Sequence, residues 1–254
     1  MFGYFRDGDR RFRGEICDGI VIPDPEYIDV DDEYDLSALQ ILPPSVPTKI
    51  VCAGLNYIDH AAELGMELPT EPLIFLKPPS ALIGHGDAIV CPPESSRVDY
   101  EAELGIIIGK RIHGLTPEEI ENDEDIIEGF TCFNDVTARD IQKREGQWTR
   151  AKGYDTFAPA GPFAVTPADL DDAHLDPENL RIRSFVNNEV RQDSSTSGFI
   201  FSIPELISAI SKIMTLEKGD IIATGTPPGI GQIVPGDVVD IDIRGIGRLS
   251  SRVV

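Results

Sequence analysis

Val98-Asp99-Tyr100-Glu101-Ala102-Glu103-Leu104-Gly105-Ile106-Ile107-Ile108-Gly109 reads as a β-strand, an apolar run closed by glycine and entered through alternating residues. Successive strand side chains point to opposite faces, so Glu101 and Glu103 share a face, about 7 Å apart along the backbone. Two carboxylates held side by side at the mouth of a buried run repel each other unless a cation or a shared proton sits between them. The same pair in an acidic chain is also compatible with a solvated strand face. The strand alone leaves both readings open.

The chain around it has 254 residues, enough for one large domain or a main domain with a small appendage. It carries 44 Asp and Glu against 22 Lys and Arg, a formal net charge of -22. A phosphate backbone needs clustered Lys and Arg, so a nucleic-acid partner is not expected. The acidic residues are scattered rather than gathered into a tail. Such a surface suits a protein that works in concentrated salt, where screening removes self-repulsion; an ordinary acidic enzyme is the alternative. Cys17, Cys52, Cys91 and Cys132 show no zinc-type spacing. Cys52, Cys91 and Cys132 lie in or beside apolar runs, which predicts buried free thiols. No apolar stretch is long enough to span a bilayer, and Met1 to Arg6 lacks the pattern of a signal peptide. The expectation is a cytoplasmic protein with no membrane partner.

Along the chain, residues 1–45 read as a small β-rich lead-in, with strands at Gly3–Arg6 and Arg11–Cys17, then an acidic loop from Asp29 to Asp35. Pro43-Pro44-Ser45-Val46-Pro47 reads as a stiff linker. The main body, 49–254, opens with a strand at Lys49–Gly54 and a short helix ending at Gly65. Strands are expected at Leu73–Leu76, Ala88–Cys91 and Phe130–Phe133. Thr116-Pro117-Glu118-Glu119 is a capping box opening a helix toward Ile127. Arg181–Val186 and Glu189–Arg191 form a hairpin about Asn187-Asn188. Ser202-Ile203-Pro204-Glu205 caps the longest amphipathic helix, to about Leu216. Closing strands are expected at Asp220–Thr224 and Asp237–Ile243. Many short strands without βα alternation predict an α+β, mostly β fold rather than a Rossmann or TIM-barrel plan.

Three features carry candidate chemistry. Asp135, at the end of a predicted strand, joins Glu101 and Glu103 as a third carboxylate. Ligation by oxygen alone, without His or Cys, suits a hard cation that keeps several waters, Mg²⁺ or Mn²⁺. His60 and Glu63 lie three residues apart on the short helix, where a carboxylate can orient an imidazole as general base; an incidental surface pair is the alternative. Arg139 and Lys152 follow Asp135 closely and could hold an anionic substrate. Thr224-Gly225-Thr226-Pro227-Pro228-Gly229-Ile230-Gly231 could cradle an anion with backbone N–H groups, or simply turn the chain between strands.

Asn56-Tyr57-x-x-His60-x-x-Glu63, Asp99-Tyr100-Glu101-x-Glu103, Asn134-Asp135-x-Thr137-Ala138-Arg139-Asp140-x-Gln142, Lys152-x-x-Asp155-Thr156 and Thr224-Gly225-Thr226-Pro227-x-Gly229 together resemble the fumarylacetoacetate hydrolase family. The resemblance runs from about Lys49 to Val254 and does not reach the first 45 residues. It implies a mixed β-sandwich roll that forms homodimers. It further implies a metal site of Glu101, Glu103 and Asp135 for Mg²⁺ or Mn²⁺, and a catalytic dyad of His60 and Glu63 on a mobile lid. Lys152 would stand beside the metal, and Arg139, Gln142 and Thr226 would line the substrate site. The short lead-in is more similar to the branch of acylpyruvate hydrolases, oxaloacetate decarboxylases and 2-hydroxyhepta-2,4-diene-1,7-dioate isomerases than to fumarylacetoacetase itself. Leu55 stands where several members carry Arg, which leaves substrate choice open.

The expectation is therefore a metal-dependent hydrolase, decarboxylase or isomerase that passes a 2-oxo acid through an enolate. A dehydratase of a 2-keto-3-deoxy sugar acid would need the same intermediate. A catalytically silent anion-binding protein of the same fold is the non-enzyme alternative.

Overall fold

The computed structural model describes residues 1–27 and 33–254. Residues 29–32 of the expected acidic loop lie outside that range; Tyr34–Asp35 pairs with the strand Ile20–Pro23. The fold is mostly β, 41% strand against 21% helix, as the sequence pattern predicts.

The long sheet runs from the lead-in into the main body. Phe2–Asp7 pairs with Arg10–Cys17 on one side and meets Ala158–Val165 at Phe2↔Ala164 on the other. Beyond it stand Ile127–Asn134, Ala102–Ile108, Ile221–Ala223, Ile50–Gly54 and Leu73–Lys77. The lead-in also keeps a small core of its own, Phe5, Phe12, Ile16 and Val21. A second sheet of five strands includes the hairpin Arg181–Val186 and Glu189–Ser195 and the closing pair Val238–Ile243 and Gly247–Val253. The hairpin turns at Asn187 (φ 53°) and Asn188 (φ 66°), left-handed values that asparagine tolerates and a two-residue turn requires.

Every residue of Ala102–Ile108 is buried, which a strand covered on both faces explains. Leu104, Ile106 and Ile108 enter the main core, while Ile107 packs with Phe133, Ile50 and Cys52 in a second cluster. Glu103 shares the Ile107 face by alternation.

The structure corrects the opening reading in one respect. The run 98–109 is not one strand: Val98–Tyr100 belongs to a three-stranded sheet with Thr137–Ala138 and Gly231–Ile233, and Ala102–Ile108 to the long sheet. Glu101 is the residue between them. The partner strand breaks at the same level, and the register holds across the gap, Asp99↔Thr137 on one side and Ala102↔Asn134 on the other. Glu101 and Asp135 therefore fall opposite each other, tied by the Asp135 N–H donating to the Glu101 carbonyl at 2.9 Å.

Other boundaries shift for local reasons. The helix opened at Thr116 covers only Pro117–Glu121, because the Asn122 side chain donates to the Glu118 carbonyl (2.7 Å) and closes it. Ile127 instead begins a strand. The longest helix, Ile203–Ile213, stops before Leu216, whose backbone pairs with Ile112. All four cysteines are free; Cys52 and Cys132 are buried as expected, but Cys91 is only partly buried and Cys17 is exposed.

Candidate active site

Glu101, Glu103 and Asp135 each bring a carboxylate oxygen to within 4.8 Å of the others, and all three residues are buried. Alternation places Glu103 beside Glu101, and the continuous register places Asp135 across from it. The pairs differ in their partners. Glu101 accepts from the Thr137 hydroxyl (2.9 Å) and from Lys152 (3.0 Å), and is also held by Arg139. Asp135 is gripped by Lys152 and by Lys77. Glu103 has no cation partner among the described residues; it accepts only the Gly225 backbone N–H, at 2.8 Å.

The electrostatics follow. Burial opposes ionisation of Glu101, but Lys152 and Arg139 outweigh it and pull its carboxyl down to about 2. Burial pushes Glu103 well above the usual carboxylate range, and the charges of Asp135 and Glu101 push the same way. Burial lowers Lys152's proton affinity, yet Asp135 and Glu101 raise it further, so its ammonium stays charged. Lys77 is lowered, because burial dominates over its pairing with Asp135.

The donor set fits a divalent oxygen-seeking cation. Three convergent oxygens and no nitrogen or sulfur suit Mg²⁺ or Mn²⁺. Glu103, whose burial and like-charged neighbours favour its protonated form, is the carboxyl that such an ion would hold ionised.

A cavity of about 180 Å³ opens onto the triad. Its wall includes His60, Arg139, Gln142, Lys152 and Thr226 besides the three carboxylates. Of the nine residues singled out from the sequence, only Glu63 stays off the wall, 43% exposed, reaching the cavity through His60 (Nδ1 to Oε2 2.9 Å). His60 rides on the helix Ile58–Leu64, which ends at Gly65 with φ 64°. That helix is pinned at its start: the Asn56 amide donates to the Thr224 carbonyl (2.8 Å) and accepts from the Phe201 N–H (2.8 Å), and Tyr57 packs edge-on to Phe199.

Arg139 and Gln142 act together, the guanidinium donating to the Gln142 side-chain oxygen at 2.5 Å and to Asp99 at 2.9 Å. The glycine-rich loop turns one backbone N–H, that of Gly225, onto an acid of the chain itself, the Glu103 carboxyl. Thr226 is positioned by Gln192, whose amide donates to the Thr226 hydroxyl (2.8 Å) and to the Pro227 carbonyl (2.8 Å) and accepts from the Ala102 N–H (3.0 Å). Sequence reasoning missed both Gln192 and Lys77. The only trace of Lys77 in the sequence is a lysine ending an apolar strand immediately before Pro78-Pro79.

The mostly β fold brings a buried carboxylate triad, a His–Glu pair and a buried lysine to one cavity, a set of groups that could hold a divalent cation and move a proton beside it. Residues 49–254 match the fumarylacetoacetate (FAA) hydrolase C-terminal family, and the chain belongs to it. It is 44% identical over 232 residues to the oxaloacetate tautomerase YisK of Bacillus subtilis, covering 87% of this chain and 75% of that protein. Among solved structures, 5-carboxymethyl-2-hydroxymuconate delta-isomerase from Mycobacterium smegmatis superposes with a TM-score of 0.89 at 38% identity, covering 100% of this chain and 98% of that one. Maleylpyruvate hydrolase from Sphingobium sp. SYK-6, solved with manganese(II) and pyruvate, gives 0.81 at 29% identity, with coverage of 100% and 98%. The chain is accordingly an enzyme of this family, and the silent-binder alternative falls away.

Proposed function

We propose that this enzyme acts on a 2-oxo acid through its enolate, with Mg²⁺ or Mn²⁺ held by Glu101, Glu103 and Asp135. The observation that carries the reading is the convergence of the triad, His60 and Lys152 on one small cavity. When bound, the cation supplies a Lewis acid for the 2-oxo group. The remaining work falls to the chain. Glu63 holds His60 Nδ1, which leaves Nε2 as the ring atom that takes a proton from C3 or from an attacking water. The Lys152 ammonium, fixed between Glu101 and Asp135, sets a positive charge beside the developing enolate oxygen. Arg139, oriented by Asp99 and Gln142, directs its guanidinium toward the substrate carboxylate.

Proton transfer at C3 is the step common to tautomerisation, hydrolysis and decarboxylation. The tautomerase activity named for the Bacillus relative and the pyruvate bound to the maleylpyruvate hydrolase support placing a 2-oxo acid here. The same reading includes a homodimer in the cytoplasm, with a scattered acidic surface fitted to high salt. Among the described residues no helix is long and apolar enough to cross a membrane.

The test is turnover of a panel of 2-oxo acids, oxaloacetate and acylpyruvates included, with Mg²⁺ or Mn²⁺ and with EDTA. Turnover that EDTA abolishes and added metal restores is the expected result. Rates indifferent to EDTA, or no turnover of any 2-oxo acid in the presence of metal, would remove the reading.

A further inference from the structure

Two arginines of the lead-in face each other without a counter-charge. Phe2–Asp7 pairs with Arg10–Cys17 in the register Tyr4↔Arg13 and Arg6↔Arg11, and with Gln40–Leu42 in the register Tyr4↔Leu42 and Arg6↔Gln40. Strand alternation therefore sets two rows on one face, Leu42–Tyr4–Arg13 and Gln40–Arg6–Arg11. In the first row Arg13 holds two carboxylates, Asp24 and Glu128, each at 3.1 Å. In the second row the Arg6 guanidinium donates to the Gln40 side-chain oxygen at 3.3 Å, and among the described residues neither Arg6 nor Arg11 has a carboxylate partner. Like charges directly opposite each other weaken a sheet. The pair persists although acidic residues outnumber basic ones 44 to 22.

Both arginines line a cavity of about 430 Å³ between the lead-in and the main body. The lining adds Tyr4 and Tyr27, whose hydroxyls lie 3.4 Å apart, and the apolar side chains of Leu42, Leu82 and Ile83. Asp87, an acid in the lining, already accepts the Gly84 N–H at 2.9 Å. None of these residues belongs to the cavity over the carboxylate triad. Two opposed guanidiniums call for a ligand of matching charge. A phosphate monoester brings about -1.5 to -2 near pH 7 and three acceptor oxygens, enough to engage both forks. A carboxylate brings one charge and two oxygens. The apolar part of the lining would take the carbon body of the ester out of water, and the volume lies in the range of small-molecule sites.

We propose that this cavity is a second ligand site, separate from the catalytic one, which takes a phosphate monoester with an apolar body and holds its phosphate between Arg6 and Arg11. The repulsion across the Arg6–Arg11 pair is then a cost of the empty site that the bound dianion removes.

The probe is phenyl phosphate, titrated calorimetrically into the intact chain at one fixed KCl concentration, with benzoate as the singly charged comparison. Both titrations are repeated on Arg6→Gln and Arg11→Gln. Arg11 is exposed and Arg6 only partly buried, so neither substitution opens the core. Wild type should bind phenyl phosphate saturably and benzoate more weakly. Each variant loses charge-assisted hydrogen bonds and should bind phenyl phosphate at least about tenfold more weakly. Without ligand, each variant should melt no lower than wild type, because it relieves the opposed charge. Phenyl phosphate should raise the melting temperature of wild type more than that of either variant, which separates a lost site from a lost fold. Equal affinity in wild type and both variants would place the anion elsewhere, the catalytic cavity included, and overturn the proposal. Benzoate binding as tightly as phenyl phosphate, or no phenyl phosphate binding to wild type at millimolar concentration, would overturn it as well.

Discussion

His60 is the residue on which binding and chemistry separate. It touches Glu63 and lines the cavity, yet it is not among the oxygens that converge for a metal. His60→Ala should therefore leave affinity for the metal and for oxalate, an enolate mimic, unchanged. Hydrolytic turnover should fall by about two to four orders of magnitude, the range for losing a general base. Decarboxylation, which needs no attacking water, should fall less. Loss of oxalate binding in step with hydrolysis would make His60 a binding residue instead. Strand alternation put Glu101 beside Glu103 and helical spacing put His60 beside Glu63 in the sequence, but Asp135 joined them only through the motif resemblance, because its place opposite Glu101 depends on strand register. Lys77 was not legible at all. At the end of a strand beside two prolines it looks like an edge lysine, and only the packed structure, in which it is 1% exposed and bonded to Asp135 and the Val136 carbonyl, shows it supporting the site.

At the scale of elements, the strands were legible where alternation or β-branching is strong, and the hairpin where Asn-Asn supplies the left-handed turn. The switch of sheets at Glu101 was not, because residues on both sides favour extended backbone and nothing local marks the break. Gln192 was hidden for a related reason: its strand alternates poorly, and its value lies in reaching Ala102, Thr226 and Pro227 on two other elements.

The parallel pairing of Ile50–Gly54 with Ile221–Ala223, which brings the loops carrying Asn56 and Gly225 together, depends on a single acid just before it. Asp220 is buried and accepts from the Thr48 N–H (2.9 Å) and hydroxyl (2.7 Å), the Lys49 N–H (3.0 Å), the Glu217 N–H (2.8 Å) and the Lys49 ammonium. Burial alone would raise its carboxyl, but these donors, Lys49 first, hold it below the ordinary value of 3.8. A depressed folded-state value means that the stabilisation is complete above about pH 4 and is lost as pH falls through the folded pKa. Asp220→Asn should cost roughly 2–3 kcal/mol at pH 7 by urea unfolding. The gap from wild type should narrow as pH falls below about 4 and on through the depressed folded-state pKa. A gap independent of pH would show that shape rather than charge is what Asp220 contributes.

At the scale of the molecule, 44 acidic against 22 basic residues leave a net charge of -22 on one chain. Many acids are paired locally, as Arg181 with Asp193 and Lys110 with Asp123, but the excess must be screened. If the surface is fitted to salt, lowering KCl from molar to about 0.1 M should lower the melting temperature as the screening length grows from about 3 to 10 Å. A melting temperature indifferent to KCl would assign the charge another role. Three carboxylates, the Gly225 amide from a closing loop and lysines from two further elements meet at one point, and the proposal is that a divalent cation joins the carboxylates there. The most direct test is a calorimetric titration of Mn²⁺ or Mg²⁺ into wild type and Glu103→Gln. Glu103 is the triad member without a cation partner among the described residues, so the variant should fold as stably as wild type. Saturable binding in wild type, weakened at least about tenfold in Glu103→Gln, is the predicted result; equal affinity in the two proteins, or no binding in either, would contradict it.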